Sequence, residues 1–300
     1  MRSGSDLRRA LPWMAGWLTL MTVIAVAGRE ATRTLPVWQV MELRSLIGLV
    51  LLYPLVRAAG GFAAMRTVRL RQHAARNTVH YLAQAGWFFA LGMIPLAQVV
   101  AIEFTMPIWT AGLAVAFLGE RIDRAKLLAI GLGLLGVAII VRPAASGLNA
   151  GQLIALAAAV GFAVSVTMTK SLTRTDNATV IMFWMLVVQS LLGLVPAALS
   201  WRAPDAGVMA WVLVVAVCGT FSHYCMARAM HHAEATVLVP IDFLRVPLTA
   251  LTGWAIYGER LDLLTVLGTA LVLAGNLANL GWRRGGTPLN RADSRSLFKK

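Results

Sequence analysis

Charged residues are scarce in this chain. Only 13% of its 300 residues are Asp, Glu, Lys or Arg, while 58% are hydrophobic. The mean hydropathy is +0.71. An average soluble domain carries about 25% charged residues, so this composition excludes an ordinary soluble globule. A membrane-spanning helix needs roughly 20 mostly apolar residues, and the chain has the length for about ten of them with short connections.

Cysteine and the common catalytic motifs are also nearly absent. The two cysteines, Cys218 and Cys225, lie in one apolar segment and are interpreted as small apolar residues rather than as a disulfide or a metal site. The sequence has no P-loop, no nucleophile elbow and no HExxH motif. The stretch His231-His232-Ala233-Glu234 lacks the cysteines of a zinc deaminase. We therefore expect no enzyme activity, no cofactor and no metal.

The apolar residues are grouped in ten segments, and none of the segments alternates as a barrel strand would. Lipid cannot hydrogen-bond to backbone, so each segment is predicted to be a helix. The predicted fold class is an all-α integral membrane protein with ten transmembrane helices. The predicted spans are 11–31, 36–56, 77–95, 97–118, 125–142, 150–169, 179–200, 208–229, 235–257 and 262–282.

The net charge of +14 is distributed unevenly over the connections. If the N-terminus is cytoplasmic, 20 of the basic residues fall on the cytoplasmic side and five on the other, with Arg44 and Arg245 inside spans. The positive-inside rule accounts for such a bias without any nucleic acid. Both termini are therefore predicted to be cytoplasmic.

The first span has an alternative interpretation as a secretory signal. Arg8-Arg9, an apolar run and the small residues Ala25-Val26-Ala27 resemble such a signal and its cleavage site. The run is long for a signal, and more membrane segments follow it. Cleavage would also leave nine spans and destroy the five-plus-five repeat, so the first span is predicted to be retained.

A repeat relates the two halves of the chain. Glu103-Phe104 followed by Gly119-Glu120-Arg121 recurs as Asp242-Phe243 followed by Gly258-Glu259-Arg260, at one constant offset. Because each copy contains an odd number of spans, the second must be inverted in the membrane, as in many secondary transporters. The predicted units are a first repeat at 1–143, a second at 149–283 and a basic cytoplasmic tail at 284–300.

Two spans that each carry an acidic-Phe pair and a proline, and that end in Gly-Glu-Arg, resemble the EamA branch of the drug/metabolite transporter superfamily. The resemblance implies ten helices in two inverted five-helix repeats and transport of small organic metabolites. The second copy departs from the first, because Arg245 stands where the first copy has Met106.

Glycines of the fifth span match a nucleotide-binding pattern by letter. Gly131-Leu132-Gly133-Leu134-Leu135-Gly136 fits GxGxxG, but a dinucleotide fold requires a preceding strand. In a membrane span, small residues allow close helix packing instead. We expect spans five and ten to pack through their glycines, outside a cavity formed by the other eight.

An ionisable residue inside a membrane span costs free energy unless it is paired or in contact with water. Such residues therefore mark candidate functional positions. Asp242 and Arg245 share a helix face, which fits either a clamp for a zwitterionic substrate or a structural salt bridge. Glu103, at the matching place in the fourth span, is predicted to be a solvated cap, with proton coupling as the alternative. Arg44 lies two residues after Glu42 in the second span and is predicted to have a structural or coupling role through a buried partner.

The remaining candidates are polar or aromatic. His80, Gln84 and Trp87 follow helical spacing beside Tyr81, which favours a stripe facing a polar cavity, although an isolated His is usually structural. Other candidate substrate contacts are Trp109, Trp184 and Ser165, for which an interfacial belt or back-bonding to the helix is the alternative. The predicted hinges are Pro107, Pro240 and Pro247, with a static kink as the alternative.

Together these patterns predict a secondary transporter of the bacterial inner membrane that works by alternating access. An amino-acid exporter, with aromatic amino acids included, is the first expectation. Uptake of a larger metabolite such as S-adenosylmethionine or riboflavin is the second. A structural or sensory protein, whose basic loop 57–76 and tail bind anionic lipid, is the alternative from another class. Expected partners are a small-molecule substrate and the lipid bilayer; a proton as coupling ion, and a monomer or a homodimer, are compatible with the sequence.

Overall fold

The structure is a computed structural model that describes residues 7–118, 124–141, 149–232, 238, 241–242, 244–259 and 262–282. These ranges contain helices and short connections and no strand, which confirms the all-α prediction. Gly119-Glu120-Arg121 and Pro240 lie outside the described residues. The helices are α1 (Leu7–Thr34), α2 (Val37–Ala58), α3 (Leu70–Met93), α4 (Leu96–Glu103), α5 (Met106–Leu118), α6 (Arg124–Val141), α7 (Ala150–Leu172), α8 (Ala178–Leu199), α9 (Ala206–His232), α10 (Arg245–Tyr257) and α11 (Leu263–Trp282), with a 3-10 turn at Phe62–Met65.

Five helices of the described part are long and apolar enough to cross a membrane. They are α1, α2, α7, α8 and α9, and three shorter apolar helical stretches lie at Leu96–Thr110, Gly131–Ile140 and Leu263–Gly275. Large apolar side chains such as Val50, Leu191 and Trp254 are exposed on the helix surfaces. In water such a surface would be unfavourable, whereas it matches the apolar interior of a bilayer. The chain is therefore a multi-pass membrane protein, and the count of ten spans stays a prediction.

The predicted fourth span is interrupted. Helix α4 ends at Glu103, Phe104 and Thr105 form a turn, and α5 begins at Met106. The predicted span 97–118 is therefore two helices, because Pro107 lacks the N–H and the space that a helix interior requires. In the first turn of a new helix the same proline costs little.

The ninth segment breaks at the matching place. Ile241 and Asp242 are helical, Leu244 is in a turn, and α10 begins at Arg245 with Pro247 in its first turn. Both prolines therefore interrupt their segments as predicted, while their role as hinges stays a prediction. Each interruption leaves helix ends, with their unpaired backbone groups, inside the helix bundle.

The pattern of helix contacts stays the same when each helix is replaced by its counterpart in the other half. A shift of 139 residues carries α1 to α7, α2 to α8, α3 to α9 and α6 to α11. Helix α1 packs on α9, and the exchanged pair, α7 on α3, is also in contact. Helix α2 packs on α8, α6 on α11, and the fourth segment (α4) on the ninth (α10). These last three contacts pair a segment with its own counterpart, so they lie on the pseudo-two-fold axis of the packing.

The largest apolar core joins α1, α3 and α4 and extends to α7. Phe88, Leu91 and Ile102 are fully buried in it, with Ile24 from α1 and Ala158 from α7. Burial of one such side chain stabilises by about 1.5–3 kcal/mol in water, and within a membrane close packing is the main contribution. This core holds the break between α4 and α5 against α3.

Polar contacts between connections join residues that the charge pattern places on the same side of the membrane. Gln39 Nε2 donates to the Arg202 carbonyl at 2.7 Å; Arg202 is predicted on the outer side, and Gln39 lies at the predicted outer end of the second span. Thr67 Oγ1 donates to Asp176 Oδ2 at 2.8 Å, and both are predicted to be cytoplasmic. The grouping of connections in the structure therefore agrees with the predicted topology, while its absolute orientation stays a prediction.

Helices α6 and α11 cross at two glycines. A β-carbon placed on Gly268 would lie 2.6 Å from the Gly136 carbonyl oxygen, and one on Gly136 would lie 2.5 Å from the Gly268 carbonyl oxygen. Nothing lies within 4 Å of the corresponding position on Gly131. The structure thus confirms that the GxGxxG match, through Gly136, serves helix packing.

We expect Gly136→Ala to destabilise the protein by about 1–3 kcal/mol, because backbone atoms of α11 must move away to admit the new methyl group. Thermal unfolding in detergent measures the loss. Gly131→Ala in the same motif is the matched control and should leave the unfolding temperature unchanged. Equal unfolding temperatures for the two variants would contradict a close crossing at Gly136.

Candidate functional site

One arginine joins the two symmetry-related acids. The Arg245 guanidinium donates from Nε and Nη2 to the two Asp242 carboxylate oxygens at 2.9 and 3.2 Å. Its Nη1 donates to Glu103 Oε1 at 3.0 Å. Arg245 is only 5% exposed. A buried bidentate ion pair with a second carboxylate satisfies most of the donors of the guanidinium.

Aromatic side chains surround this triad of Glu103, Asp242 and Arg245. Trp17 Nε1 of α1 donates to Asp242 Oδ1 at 2.6 Å, and Trp87 Nε1 of α3 donates to Glu103 Oε2 at 3.0 Å. The guanidinium carbon lies 4.8 Å from the centroid of the Phe104 ring and 5.7 Å from that of Trp17. Cation–π contact and indole donors stabilise charge away from water. The triad therefore ties α1, α3, α4 and α10 together.

The triad settles the geometry of three predicted residues. Asp242 and Arg245 share one helix face, as predicted, and are ion-paired. Glu103 is not a solvated cap, because its carboxylate pairs with Arg245 across the two halves. In this conformation the charges expected to clamp a zwitterion already neutralise one another. Whether substrate contacts them stays a prediction.

A second polar group lies between α2, α3 and α8, and we call it the polar cluster. Glu42 and Tyr81 are 4% and 3% exposed, and Gln189 is fully buried. Three of their polar atoms, Glu42 Oε2, Tyr81 Oη and Gln189 Nε2, are buried without a hydrogen-bond partner within the described structure. The same is true of Gln84 Oε1 on α3 and Ser190 Oγ on α8. Buried polar atoms are usually paired with protein groups or water, so these atoms mark a candidate binding site.

Gly193 makes room for the polar cluster. A β-carbon at this position would lie 3.1 Å from the Tyr81 hydroxyl oxygen and would overlap the Glu42 carboxyl group. Both groups therefore lie against α8 at the place where Gly193 has no side chain. Trp38 covers the other side, with its ring stacked on Tyr81 at a centroid distance of 5.9 Å.

Arg44 finds its buried partner across the helix interface. Its Nη2 donates to Gln189 Oε1 at 3.3 Å, which links α2 to α8. The predicted need for a partner is met by a neutral amide and not by the neighbouring Glu42. Gln189 and Ser190 were not anticipated as site residues. A polar residue in an otherwise apolar helix was the signal that could have identified them.

The predicted stripe on α3 serves three different contacts. His80 Nδ1 lies 3.2 Å from Ser165 Oγ of α7, with the Phe162 ring 5.4 Å away. Gln84 has an unpartnered buried oxygen, and Trp87 contacts the triad. The stripe therefore contacts residues inside the bundle and brings His80 and Ser165 together, while a polar cavity along it stays a prediction.

The two other predicted tryptophans have structural partners. Trp109 Nε1 donates to Thr105 Oγ1, in the α4–α5 turn, at 3.0 Å. Trp184 Nε1 donates to the Met65 carbonyl at 2.8 Å, in the connection between α2 and α3. Trp184 also lies beside His73, with ring centroids 6.5 Å apart. A substrate contact for either tryptophan stays a prediction.

A group of polar residues on the predicted cytoplasmic side was missed. Asp176, between α7 and α8, accepts from Thr67 Oγ1 and lies 2.8 Å from His73 Nε2. Arg69 Nη1 donates to the Ser171 carbonyl at 3.0 Å, and Arg76 Nε donates to Thr169 at 2.9 Å. The basic loop thus contacts the second half of the chain, and two of its arginines are engaged there rather than free for lipid. Asp176 was the sequence signal, as the single acid of its connection.

A cavity of about 600 Å³ opens between the C-terminal ends of α1 and α10. Its lining includes Arg29, Glu30, Arg33, Tyr257 and Glu259. Arg29 forms an ion pair with Glu259, and the Tyr257 hydroxyl donates to Glu30 Oε1 at 2.7 Å. Arg29 and Arg33 both lie over the Tyr257 ring. We call this charged group the outer cluster.

The structure accounts for Gly258 and Glu259 of the second Gly-Glu-Arg motif, whose Arg260 lies outside the described residues. Gly258 ends α10 with a φ of +65°, a conformation that favours glycine. Glu259 then turns back to accept from the Leu96 backbone N–H at 3.0 Å, capping α4. The motif therefore joins the ninth segment to the start of the fourth. Among the described residues, no group of His, Cys, Asp and Glu could hold a metal ion.

Comparisons with known proteins agree with this architecture. The EamA-like transporter family model matches residues 8–142 and again 149–280. A riboflavin transporter of Rhizobium johnstonii is 30% identical over 72% of both chains. An S-adenosylmethionine uptake transporter of Rickettsia bellii is 23% identical over 87% of this chain and 91% of the relative. The pseudopaline exporter CntI of Pseudomonas aeruginosa is 28% identical over 83% and 88%.

A solved crystal structure superposes with a TM-score of 0.64, over 93% of this chain and 99% of that chain, at 19% identity. This likeness supports the fold. The two family matches cover nearly the whole chain, and the relatives named above move small molecules across membranes. The chain belongs to the EamA-like transporter family within the drug/metabolite transporter superfamily, a family of membrane transporters rather than enzymes.

Proposed function

We propose that the protein is a secondary transporter that moves a small organic metabolite across the bacterial inner membrane by alternating access between its two halves. Family membership and the exchange-symmetric helix packing support the mechanism. In such transporters substrate lies near the bilayer midplane, where interrupted helices meet. The breaks after Glu103 and before Arg245 place the triad at such a meeting point.

The polar cluster is the observation that carries the substrate proposal. It offers carboxyl and amide oxygens as acceptors, a Gln189 amide donor, and hydroxyl groups that can do either. A substrate with donors and acceptors along one edge would form hydrogen bonds with these atoms. Its binding would then recover the free energy that is lost when these atoms are buried unpaired. The stacked Trp38 and Tyr81 rings provide an aromatic surface next to them.

This combination favours a metabolite with a planar, hydrogen-bonding ring system over a free amino acid. Riboflavin and S-adenosylmethionine, after which two of the relatives are named, contain such ring systems, and S-adenosylmethionine also contains an amino-acid zwitterion. The amino-acid expectation relied on Asp242 and Arg245 as two free ends of a clamp. Because the triad pairs these charges with each other and with Glu103, their carboxylate and guanidinium groups are less available to a zwitterion.

A flux screen in proteoliposomes tests the proposal. Riboflavin, S-adenosylmethionine and a set of amino acids that includes the aromatic ones would be offered with and without an imposed pH gradient. We expect saturable flux of a ring-bearing metabolite and none of the small amino acids. Measuring entry and exit separately gives the direction.

Liposomes containing the Gln189→Leu variant serve as the comparison, since this change removes one donor from the polar cluster. It should raise KM for the transported metabolite about tenfold, the loss of about one hydrogen bond or 1.4 kcal/mol. Saturable flux of amino acids alone would instead support an amino-acid exporter. Equal KM values for the variant and the wild type would remove Gln189 from the site.

A further inference from the structure

Glu42 stands apart from the other buried acids in its surroundings. Glu103 and Asp242 share Arg245, and Asp176 is held by Thr67 and His73. Glu42 is 4% exposed, and its Oε2 is buried without a hydrogen-bond partner within the described structure. An ionised carboxylate in such a place costs several kcal/mol. A neutral, protonated carboxyl avoids this cost.

Within the described part of the chain, Glu42 forms no ion pair. From α3 it is faced by Tyr81, and from α8 by Gly193. Arg44, on its own helix, directs Nη2 to Gln189. Apolar residues that pack on this end of α2 are Ala31 of α1, Leu35 just after α1, and Val208 and Val212 of α9. The environment therefore favours the protonated form of Glu42 in this conformation.

We propose that Glu42 is the proton-binding site that couples transport to the proton gradient. The carboxyl holds its proton while the polar cluster is sealed, and releases it as a hydrated proton when the cluster opens to water. On the return, the carboxylate crosses without a proton, with hydrogen-bond donors of the bound substrate in the place of the proton, and it takes up a proton from water on the other side when the substrate leaves. One proton thus crosses per conformational cycle, in the direction opposite to the substrate.

The position of Glu42 links the proton to the substrate. Its carboxyl lies with the Tyr81 hydroxyl against Gly193, one helical turn from Gln189. A substrate that binds the polar cluster would meet the carboxyl directly and would favour one of its two protonation states. Glu103, the coupling residue considered from the sequence, would have to lose its ion pair with Arg245 to serve the same purpose. This inference rests on the proposed transport function.

Infrared difference spectroscopy of the purified protein tests the protonation state without a substrate. At neutral pH we expect the wild type to show the carbonyl stretch of a protonated carboxyl, and Glu42→Gln to lose it. Glu30→Gln is the matched control, because Glu30 is paired with Arg33 and Tyr257 and should leave the signal in place. A wild type without the signal, or loss of the signal only in another variant, would overturn the proposal.

Transport by the same variants tests the coupling. In proteoliposomes, Glu42→Gln should retain exchange of labelled for unlabelled metabolite and lose accumulation driven by a pH gradient, while Glu42→Asp should retain part of it. Gradient-driven accumulation by Glu42→Gln at the wild-type level would overturn the inference. If the wild type itself exchanges none of the metabolites, the proposed function fails, and the infrared result still decides whether Glu42 holds a proton.

Discussion

Replacement of Arg245 by Met should abolish transport. The substitution leaves the Glu103 and Asp242 carboxylates facing each other without the guanidinium that neutralises both. Removing one partner of a buried ion pair costs about 3–5 kcal/mol, and here two acids lose the same partner. We expect a lower unfolding temperature in detergent and no measurable flux in proteoliposomes.

Companion variants separate a structural role of the triad from a direct one. Combining Glu103→Gln and Asp242→Asn with Arg245→Met removes all three charges while keeping the shapes of the acids, so much of the lost stability should return. If the triad only holds helices together, flux should return with it. A stable triple variant without flux would show that charge itself is needed, either to contact substrate or to switch between conformations.

Single neutralisation gives the complementary result. Asp242→Asn should also abolish flux, with a smaller loss of stability, because Arg245 keeps Glu103 as a partner. Normal flux in both Asp242→Asn and Arg245→Met would exclude any role of this pair in transport. Exchange of the two residues, with Arg at 242 and Asp at 245, would restore flux only if their mutual ion pair is the essential feature.

A methyl group at position 193 should impair substrate binding more than folding. In Gly193→Ala the new atom would displace the Glu42 carboxyl and crowd the Tyr81 hydroxyl. Both are ends of side chains rather than backbone, so the helices can stay in place while the polar cluster changes shape. We expect KM to rise by about tenfold, which corresponds to about 1.4 kcal/mol of lost binding.

The control for this change is Gly92→Ala on α3, where nothing lies within 4 Å of the added atom. Flux measured over a range of metabolite concentrations, together with the amount of protein in the liposome, distinguishes KM from expression. A KM for Gly193→Ala equal to that of Gly92→Ala would place the substrate elsewhere. The charged residues of the outer cluster would then be the next to test.

Sequence patterns predicted the helices, the repeat and the positions of Glu103 and Asp242 in equivalent places. They could do so because apolar runs and a constant offset are local or periodic features of the chain. The partnership of both acids with Arg245 depends on how the fourth and ninth segments cross, which no local pattern encodes. The prolines indicated interruptions, but the boundaries at Glu103 and Met106 follow from which helix end could be capped or buried.

In the polar cluster, too, some members can be predicted from sequence and others depend on the packing of the helices. Gln84 can be recognised by its helical spacing from His80 and Trp87, because side chains on one face of a helix can be read from sequence; Tyr81 is a candidate only as a neighbour of His80. Gln189, from the other half, joins them only through the contact of α2 with α8. Glu42 could be recognised as unusual from its place in an apolar segment, whereas its buried oxygen without a partner is a property of the packed structure, within the residues described.

The contacts of each segment with its own counterpart have a consequence for motion. If the two halves exchange shapes during the cycle, helices far from the pseudo-two-fold axis must travel, whereas those on the axis rotate in place. The Arg44–Gln189 contact joins α2 to α8, and the Arg245–Glu103 contact joins the ninth segment to the fourth. Both polar groups therefore lie near the axis, where the smallest displacement is expected. Water and solute would reach the same atoms from either face of the bilayer, while the surrounding helices close one face at a time.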